Sequence, residues 1–192
     1  RTASEVEAAA HKIEREHGIH SLIEALKILD ARVPVHAIEV DVTGGGDMAA
    51  WVAREFAGLT SITARYHGFL PGSQYRDLLS AAQVCVAQQD PQGRHASFKT
   101  PSKVYEFLGY GKAVIATDVG DIGDLNGEVL MVLPTLKAAA LAASIERLAG
   151  DPDETVSLRQ RARAHAEAHF AYSSVGMVLY ELVQKIGQRG QR

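Results

Sequence analysis

Hydrophobic residues follow two different spacings along this chain, and the change of spacing separates strands from helices. Short runs that are apolar on both faces predict buried strands at Val84–Ala87 and Ala113–Thr117. Three more strands are predicted at Val35–Val42, Ser61–Tyr66 and Glu128–Leu133. Because helical segments separate the strands, the pattern predicts an α/β fold with a Rossmann-like parallel sheet flanked by helices. We expect Val84–Ala87 and Ala113–Thr117 to be its central strands and the crossovers to be right-handed.

Apolar residues at intervals of three and four positions predict amphipathic helices between the strands. The predicted helices are Thr2–Glu16, Ile19–Asp30, Met48–Ala57, Tyr75–Ala82, Ser102–Tyr110, Leu136–Ala149, Pro152–His169 and Ser173–Ile186. Asp151 is suited to cap the seventh helix, with Pro152 at its first position. The 192 residues contain no low-complexity linker, so we predict one Rossmann-like domain over 1–192, with an atypical helical segment at 1–17 and a C-terminal helix and tail at 173–192.

Composition narrows the possible functions. The chain is 46% hydrophobic with a net charge of −3, which is typical of a soluble globular protein and too small to indicate nucleic-acid binding. The single cysteine, Cys85, excludes an internal disulfide framework, and the eight histidines show no metal-ligand spacing, so we expect no metal. No apolar run has the length of a membrane span and no signal peptide is visible, so a cytoplasmic location is expected.

The stretch Phe98–Gly120 combines a helix start, a short helix, a helix stop and a strand. Thr100 is predicted to cap the helix Ser102–Tyr110, and Pro101 fits the first helical position. Gly111 suits the left-handed conformation that ends many helices. The helix N-terminus is then expected to face the carboxyl edge of the sheet, where α/β folds bind ligands.

The first turn of this helix carries groups suited to a phosphate. Free backbone N–H groups at Ser102 and Lys103 form a small anion site, which the helix dipole reinforces. Lys103 adds a positive charge, and Glu106 lies on the same face one turn later, where a carboxylate suits a pair of sugar hydroxyls. The plainer alternative is a capped surface helix with a Lys–Glu pair, and the residues alone leave both interpretations open.

Three loops at the same edge offer further candidates for lining a cleft. Residues 35–57 have the outline of a phosphate loop, in which a strand is followed by glycines and a helix. A polar loop as long as Gln88–Phe98 is usually functional or mobile. Ordinary turns and solvated side chains explain the same residues equally well. The candidates are Gly44, Gly45 and Gly46 after the first strand, Gly68, Phe69, Leu70 and Pro71 after the second, and Arg94, His95 and Phe98 after the third.

The central stretch resembles the nucleotide-sugar motif of the group 1 (GT4) family of GT-B glycosyltransferases, in its P-S-K-x-x-E-[FY] variant. The matching residues are Pro101, Ser102, Lys103, Glu106, Phe107, Gly111 and Lys112. The family's G-F-[VL]-P loop resembles Gly68–Pro71, and a later glycine-rich pattern resembles 120–134. The chain is therefore identified as similar to the C-terminal, nucleotide-sugar-binding half of a GT-B enzyme.

The resemblance implies a substrate and a set of contacts. A nucleoside-diphosphate sugar would place its diphosphate on Thr100, Ser102 and Lys103 and its ribose on Glu106, while the backbone of Gly68–Pro71 would meet the nucleobase. The implied reaction moves a hexosyl-type sugar to an acceptor hydroxyl with retention, without a metal or other cofactor. Catalytic residues stay unassigned, and Phe98 stands where many members have a second glutamate that contacts the sugar.

The beginning of the chain departs from the family pattern. HGIHSLIEALKIL resembles the family's K-G-x-x-x-L-I-x-A-L helix, but His17 replaces the lysine. In the family a strand ending in Gly-Arg comes before this helix, whereas here the alanine-rich Glu5–Ala10 takes its place and Arg15 is the nearby positive charge.

The resemblance also implies a missing N-terminal acceptor-binding domain and therefore an incomplete catalytic unit. Without that half we expect an apolar rim around Gly68–Leu70 and the final helix. Through the missing half, the complete protein is expected to associate peripherally with the inner face of the membrane. Two other functions stay open at this point. One is a GT-B sugar-nucleotide epimerase, and the other is a non-catalytic nucleotide-binding or interaction module.

Overall fold

The computed structural model describes residues 18–46, 48–99 and 101–189. The predicted helix Thr2–Glu16 lies outside these residues. Seven α-helices are present in the described part: α1 (Ile19–Arg32), α2 (Ala49–Ala57), α3 (Gly72–Ala81), α4 (Ser102–Gly109), α5 (Ala138–Gly150), α6 (Pro152–His169) and α7 (Tyr172–Arg189). The strands are β1 (Glu39–Thr43), β2 (Thr63–Gly68), β3 (Val84–Ala87), β4 (Ala113–Thr117) and β5 (Met131–Leu133), with short 3₁₀ turns at Ala96–Phe98 and Ile122–Leu125.

All strand pairs are parallel, which confirms the predicted α/β class. β1 pairs with β2 in one sheet, and β3, β4 and β5 pair in that order in a second sheet. β4 is the central strand of the second sheet, and all five of its residues are buried, as predicted. The prediction that β3 is also central is wrong within the described residues, because β3 pairs only with β4 and Cys85 alone of its residues is fully buried.

The two sheets do not pair with each other among the described residues. Each outer strand of the two sheets, namely β1, β2, β3 and β5, has one unpaired edge in the part of the chain that the structure covers.

Strand limits follow hydrogen-bond partners rather than hydrophobicity. The predicted strand beginning at Val35 starts only at Glu39, where pairing with Thr63 begins, and Val35 is 95% exposed. β2 begins later than predicted because the carboxylate of Asp30 accepts hydrogen bonds from three successive N–H groups, those of residues 60–62, at 2.8, 2.5 and 3.1 Å. These bonds fix the preceding segment as a turn and lower the pKa of Asp30.

Two apolar clusters hold helices against both faces of the sheets. The larger cluster joins α1, α2 and α5 to strands of both sheets, with Leu26, Ile115 and Leu141 fully buried. The smaller cluster packs α4 and α6 against the opposite face of β4, through residues such as Leu108 and Ala162. This second cluster fixes the direction in which α4 presents its N-terminus.

Helix α6 begins as predicted. The carboxylate of Asp151 accepts a hydrogen bond from the Glu154 N–H at 2.8 Å, and Pro152 occupies the first turn. The helix buries a stripe that includes Leu158 and Ala162. The small alanines on this stripe allow α6 to approach α4 closely. The polar composition of α6 did not reveal this packing.

Candidate functional site

Helix α4 begins at the carboxyl edge of β4's sheet with an open first turn. It begins at Ser102, so Pro101 precedes the helix and does not take the predicted first helical position. The carbonyl of Pro101 accepts a hydrogen bond from the Val104 N–H at 2.8 Å. No partner is recorded for the N–H groups of Ser102 and Lys103 among the described residues, and both residues are exposed. The predicted cap, Thr100, lies outside the described residues.

The loop that precedes α4 is held by a glycine from the end of β4. Gly120 has φ 65°, and its N–H donates to the carbonyl of Ala96 at 2.9 Å. A Cβ atom at this position would lie 2.1 Å from the carbonyl oxygen of Lys99. Only glycine therefore permits this close approach of two backbones, and the contact sets where α4 begins. Phe98, in the same loop, is 87% exposed.

The opposite end of α4 is fixed by a left-handed glycine and a buried lysine. Gly111 has φ 63°, as predicted for the residue that ends this helix. The Nζ atom of Lys112 donates to the carbonyls of Ser80 and Ala82, at 2.7 and 2.8 Å, at the end of α3. Burial lowers the pKa of Lys112. This motif lysine therefore joins α3 to β4 and does not face the predicted ligand site.

Lys103 and Glu106 lie on one face of α4, as predicted, and a third side chain meets them there. The Nζ atom of Lys103 lies 2.7 Å from Oε2 of Glu106 and 3.1 Å from the hydroxyl oxygen of Tyr75. It also lies 4.6 Å from the centroid of the Tyr75 ring. Burial lowers the pKa of Lys103, but the hydrogen bonds to Glu106 and Tyr75 outweigh it, so the net shift is upward. The group therefore stays positively charged at neutral pH.

Tyr75 is a candidate residue that the sequence analysis missed. It lies on α3, the helix that follows the Gly68–Pro71 loop, and reaches α4 across 28 positions of sequence. Its pKa is raised, chiefly by burial. The sequence indicated this role only through the position of Tyr75 in the first helical turn after the Gly68–Pro71 loop.

The glycine turn and the Gly68–Pro71 loop lie side by side. The N–H of Gly44 donates to the carbonyl of Gly68 at 2.8 Å, and the Tyr66 hydroxyl donates to the carbonyl of Gly44 at 2.5 Å. Phe69 is 86% exposed and Leu70 is half-buried, so the predicted apolar rim at this loop is confirmed. The structure thus brings two of the predicted candidate loops together.

Two glutamines at the end of β3 were also missed. The Thr117 hydroxyl donates to the carbonyl of Gln89 at 2.7 Å and accepts from its N–H at 2.8 Å, which ties the ends of β3 and β4 together. The Nε2 atom of Gln88 donates to the Ser21 hydroxyl at 3.2 Å. The Oε1 atoms of both glutamines are buried without a hydrogen-bond donor among the described residues. Such an oxygen is a ready acceptor for a ligand or a water molecule.

The other sequence candidates have no recorded bond to Lys103 or Glu106 among the described residues. Arg15 and His17 lie outside the described residues, while Arg94 and His95 are exposed on the turn that precedes Ala96. No group of three or more potential metal-ligating side chains occurs in the described ranges. No helix within those ranges is long and apolar enough to cross a membrane.

A surface depression lies elsewhere on the molecule. It has a volume of about 670 Å³ and lies at the far end of α4, between Tyr110 and the Arg159–Glu167 part of α6. It is shallow and open, and it contains none of the candidate residues. The geometry therefore favours the N-terminal end of α4.

Several solved structures share the fold of this chain. Anabaena Alr3699/HepE in complex with UDP-glucose superimposes with a TM-score of 0.66 at 18% identity, over 96% of this chain and 54% of that one. A sucrose-phosphate synthase from Thermosynechococcus elongatus gives 0.61 at 21% identity, over 88% and 43%. A glycosyltransferase from Rickettsia africae gives 0.63 at 18% identity, over 97% and 52%. The fold is thus that of GT-B glycosyltransferases, and the chain spans about half the length of these structures.

Sequence comparison supplies the family. The family model described as "Glycosyl transferases group 1" matches residues 8–151. The chain therefore belongs to the group 1 glycosyltransferases. No curated protein matches it in sequence.

Proposed function

We propose that residues 1–192 form one domain that binds a nucleoside-diphosphate sugar, the donor substrate of a glycosyltransferase. The observation that carries this proposal is the open first turn of α4, with the charges of Lys103 and Glu106 on one face beside it. Membership of the group 1 family supports it, as do related structures that hold UDP or UDP-glucose.

The diphosphate is proposed to bind at the N-terminus of α4. The N–H groups of Ser102 and Lys103 point out of the first turn, and the helix dipole places partial positive charge there. Lys103 adds a full positive charge on a side chain that is 59% exposed and so accessible to a ligand. Thr100 is assigned to the same group because it immediately precedes the helix. The chain thus offers an anion both oriented dipoles and a positive charge.

Glu106 is proposed to accept two hydrogen bonds from the donor ribose. In the unliganded chain its carboxylate is neutralised by Lys103 at 2.7 Å. When a diphosphate approaches Lys103, that pairing weakens and the carboxylate becomes available for hydroxyl groups. Donor binding then exchanges one exposed ion pair for two charge-assisted contacts.

The nucleobase is proposed to lie against the backbone of Gly68–Pro71. This loop contacts the glycine turn through the hydrogen bond from Gly44 to Gly68. The exposed ring of Phe69 provides apolar surface beside it. Gly45 and Gly46 present no side chain that would obstruct a ligand, and neither would meet another atom within 4 Å if a Cβ were added. Arg94, His95 and Phe98, which are exposed on the segment before α4, are proposed to line the approach to this site. Arg15 and His17, which lie outside the described residues, are assigned to the same cleft from the sequence.

We propose a retaining, metal-independent transfer of a hexosyl-type sugar to an acceptor hydroxyl, with no cofactor besides the donor substrate. As the bond to the sugar breaks, negative charge accumulates on the departing diphosphate. Lys103 and the N-terminus of α4 stabilise that charge without rearrangement, which is an electrostatic form of catalysis.

The acceptor is proposed to bind to a second domain that packs against an apolar surface of this chain. On α7 most apolar side chains are exposed, among them Met177, Val178, Leu179 and Val183. Exposed apolar side chains such as these, and Phe69, are of the kind that partner domains cover. The chain spans about half the length of the related structures, which agrees with a second domain of similar size. We propose a cytoplasmic enzyme whose second half can contact the inner face of the membrane.

Calorimetric titration of the 192-residue chain with UDP-glucose, GDP-mannose and ADP-glucose tests the donor proposal. Binding of one donor, with UDP, GDP or ADP competing for the same site, is the expected result. Binding that persists in EDTA supports a metal-independent site. If the complete protein binds no donor and releases no nucleoside diphosphate with any acceptor, the proposal is wrong. The anomeric configuration of the product, measured by NMR, tests retention.

A further inference from the structure

Among the described residues, Tyr75 is the only side chain outside α4 and its preceding loop that has a recorded bond to Lys103. It lies in the first turn of α3, which begins at Gly72 directly after the Gly68–Pro71 loop. The ring is half-buried, whereas the ammonium that it meets is on an exposed side chain. Tyr75 therefore links the loop proposed for the nucleobase with the charge proposed for the diphosphate.

The geometry around the ammonium of Lys103 is unusually defined for an exposed lysine. An ammonium group has three N–H donors. One donates to Glu106 at 2.7 Å and one to the Tyr75 hydroxyl at 3.1 Å, while the ring lies 4.6 Å away on the same side. The third N–H has no recorded partner among the described residues. Two directions are thus fixed, and the third donor stays available for an incoming anion.

We propose that Tyr75 is a positioning residue that holds Lys103 ready for the diphosphate of the donor. This inference rests on the proposed function. A lysine side chain has several rotatable bonds, and a ligand that must order them loses affinity. With its ring and hydroxyl, Tyr75 orders Lys103 before the ligand arrives. Its effect is therefore expected on phosphate contacts and not on nucleoside contacts.

Electrostatics at the contact agree with this role. Burial raises the pKa of Tyr75 above its ordinary value, so the hydroxyl stays neutral at physiological pH and can accept a hydrogen bond from the ammonium. The same contact contributes to the raised pKa of Lys103. Removal of the hydroxyl should therefore make the lysine amine both less ordered and more often deprotonated.

Three variants separate the hydroxyl from the ring and from general effects. Tyr75→Phe keeps the ring and loses the hydroxyl, and Tyr75→Leu loses both. Tyr110→Phe removes a hydroxyl from the far end of α4, where no hydrogen bond of that group is recorded among the described residues, and serves as the matched control. Melting curves confirm that each variant is folded.

Limited acetylation with acetic anhydride, read by mass spectrometry, measures the free-amine fraction of Lys103 without any donor. Lys137, an exposed lysine, serves as the internal reference. We expect the free-amine fraction of Lys103, and with it the extent of acetylation, to rise in Tyr75→Phe and in Tyr75→Leu and to stay unchanged in Tyr110→Phe.

Titration with UDP and with uridine gives the second readout. We expect Tyr75→Phe to weaken UDP binding roughly threefold to tenfold, which is the size of effect expected when a flexible side chain has to be ordered by the ligand. Uridine binding should be unchanged, because uridine has no phosphate.

The outcomes distinguish this inference from the proposed function. If the wild-type chain binds neither UDP nor a UDP-sugar, the donor proposal fails for this chain, while acetylation still judges the contact between Tyr75 and Lys103. Unchanged Lys103 acetylation in both Tyr75 variants overturns the inference. Equal weakening of UDP and uridine also overturns it, since that result would make Tyr75 a general structural residue. Altered acetylation of Lys103 together with unaltered UDP affinity overturns the inference as well.

Discussion

Replacement of Glu106 by glutamine separates ligand binding from scaffolding at the N-terminus of α4. The change keeps the shape of the side chain and one acceptor oxygen but removes the negative charge. Glu106 is partly exposed and bonds Lys103 on the same helix at 2.7 Å, so its contribution to folding is that of a surface pair, about 0–1 kcal/mol. We therefore expect the melting temperature to change little.

The expected effect on the donor is much larger. A hydrogen bond to a charged group contributes about 1.5–3 kcal/mol. Loss of the charged acceptor for the ribose hydroxyls should thus weaken donor binding roughly tenfold to a hundredfold. Lys103→Ala should weaken the diphosphate-bearing donor far more than the free nucleoside.

Calorimetric titration and thermal melting of the same samples decide the question. Glu167→Gln is the matched control, because Glu167 forms a similar exposed pair with Arg163 at 2.7 Å, on α6. A lowered melting temperature with unaltered donor affinity in Glu106→Gln would refute the reasoning and leave Glu106 as part of a surface pair.

Three further predictions concern stability and association. Lys112→Met should lower the free energy of unfolding by about 2 kcal/mol or more, since two carbonyls lose a charged donor. Because the pKa of Lys112 is lowered in the folded state, the wild-type chain should gain stability as pH rises towards 10.5, and the variant should not. Urea denaturation at several pH values measures both effects. Gly120→Ala should destabilise the chain more than Gly127→Ala, because both have positive φ but only Gly120 would clash, and an equal loss in denaturation curves would contradict this. The exposed α7 should cause concentration-dependent self-association that Leu179→Glu reduces, and sedimentation showing a monomer at high concentration would disprove it.

Sequence patterns predicted the elements of this fold where burial alone determines them. The limits of β3 and β4 agree with the apolar runs at Val84–Ala87 and Ala113–Thr117. Hydrophobicity failed at Val35, because an apolar residue forms a strand only where a partner strand is available. It also failed for the place of β3 in its sheet, since pairing depends on which other strands lie beside it. Such neighbours come from distant parts of the chain and leave no local pattern.

The residues of the candidate site likewise fall into those that the sequence predicted and those that only the structure revealed. Lys103 and Glu106 were predictable because the helical repeat places residues three apart on one face. Tyr75 was not, because its contact with Lys103 depends on how α3 packs near α4, and no spacing in the sequence encodes that packing. Gln88 and Gln89 were missed because only the folded structure shows that their amide oxygens are buried without donors.

The position of the site depends on the central strand through a short chain of backbone contacts. β4 is fully buried, so its end is fixed by packing on both faces. From that end, Gly120 donates to the carbonyl of Ala96 and leaves room for Lys99, which fixes the loop entering α4. Thr117 holds Gln89 by two hydrogen bonds and so fixes the end of β3 against the same strand. The first turn of α4 is therefore placed by backbone contacts, whereas Lys103 and Glu106 are held there by side-chain bonds. This arrangement agrees with the proposed anion site, in which fixed backbone dipoles keep the geometry and the Lys103–Glu106 pair is proposed to open for a ligand.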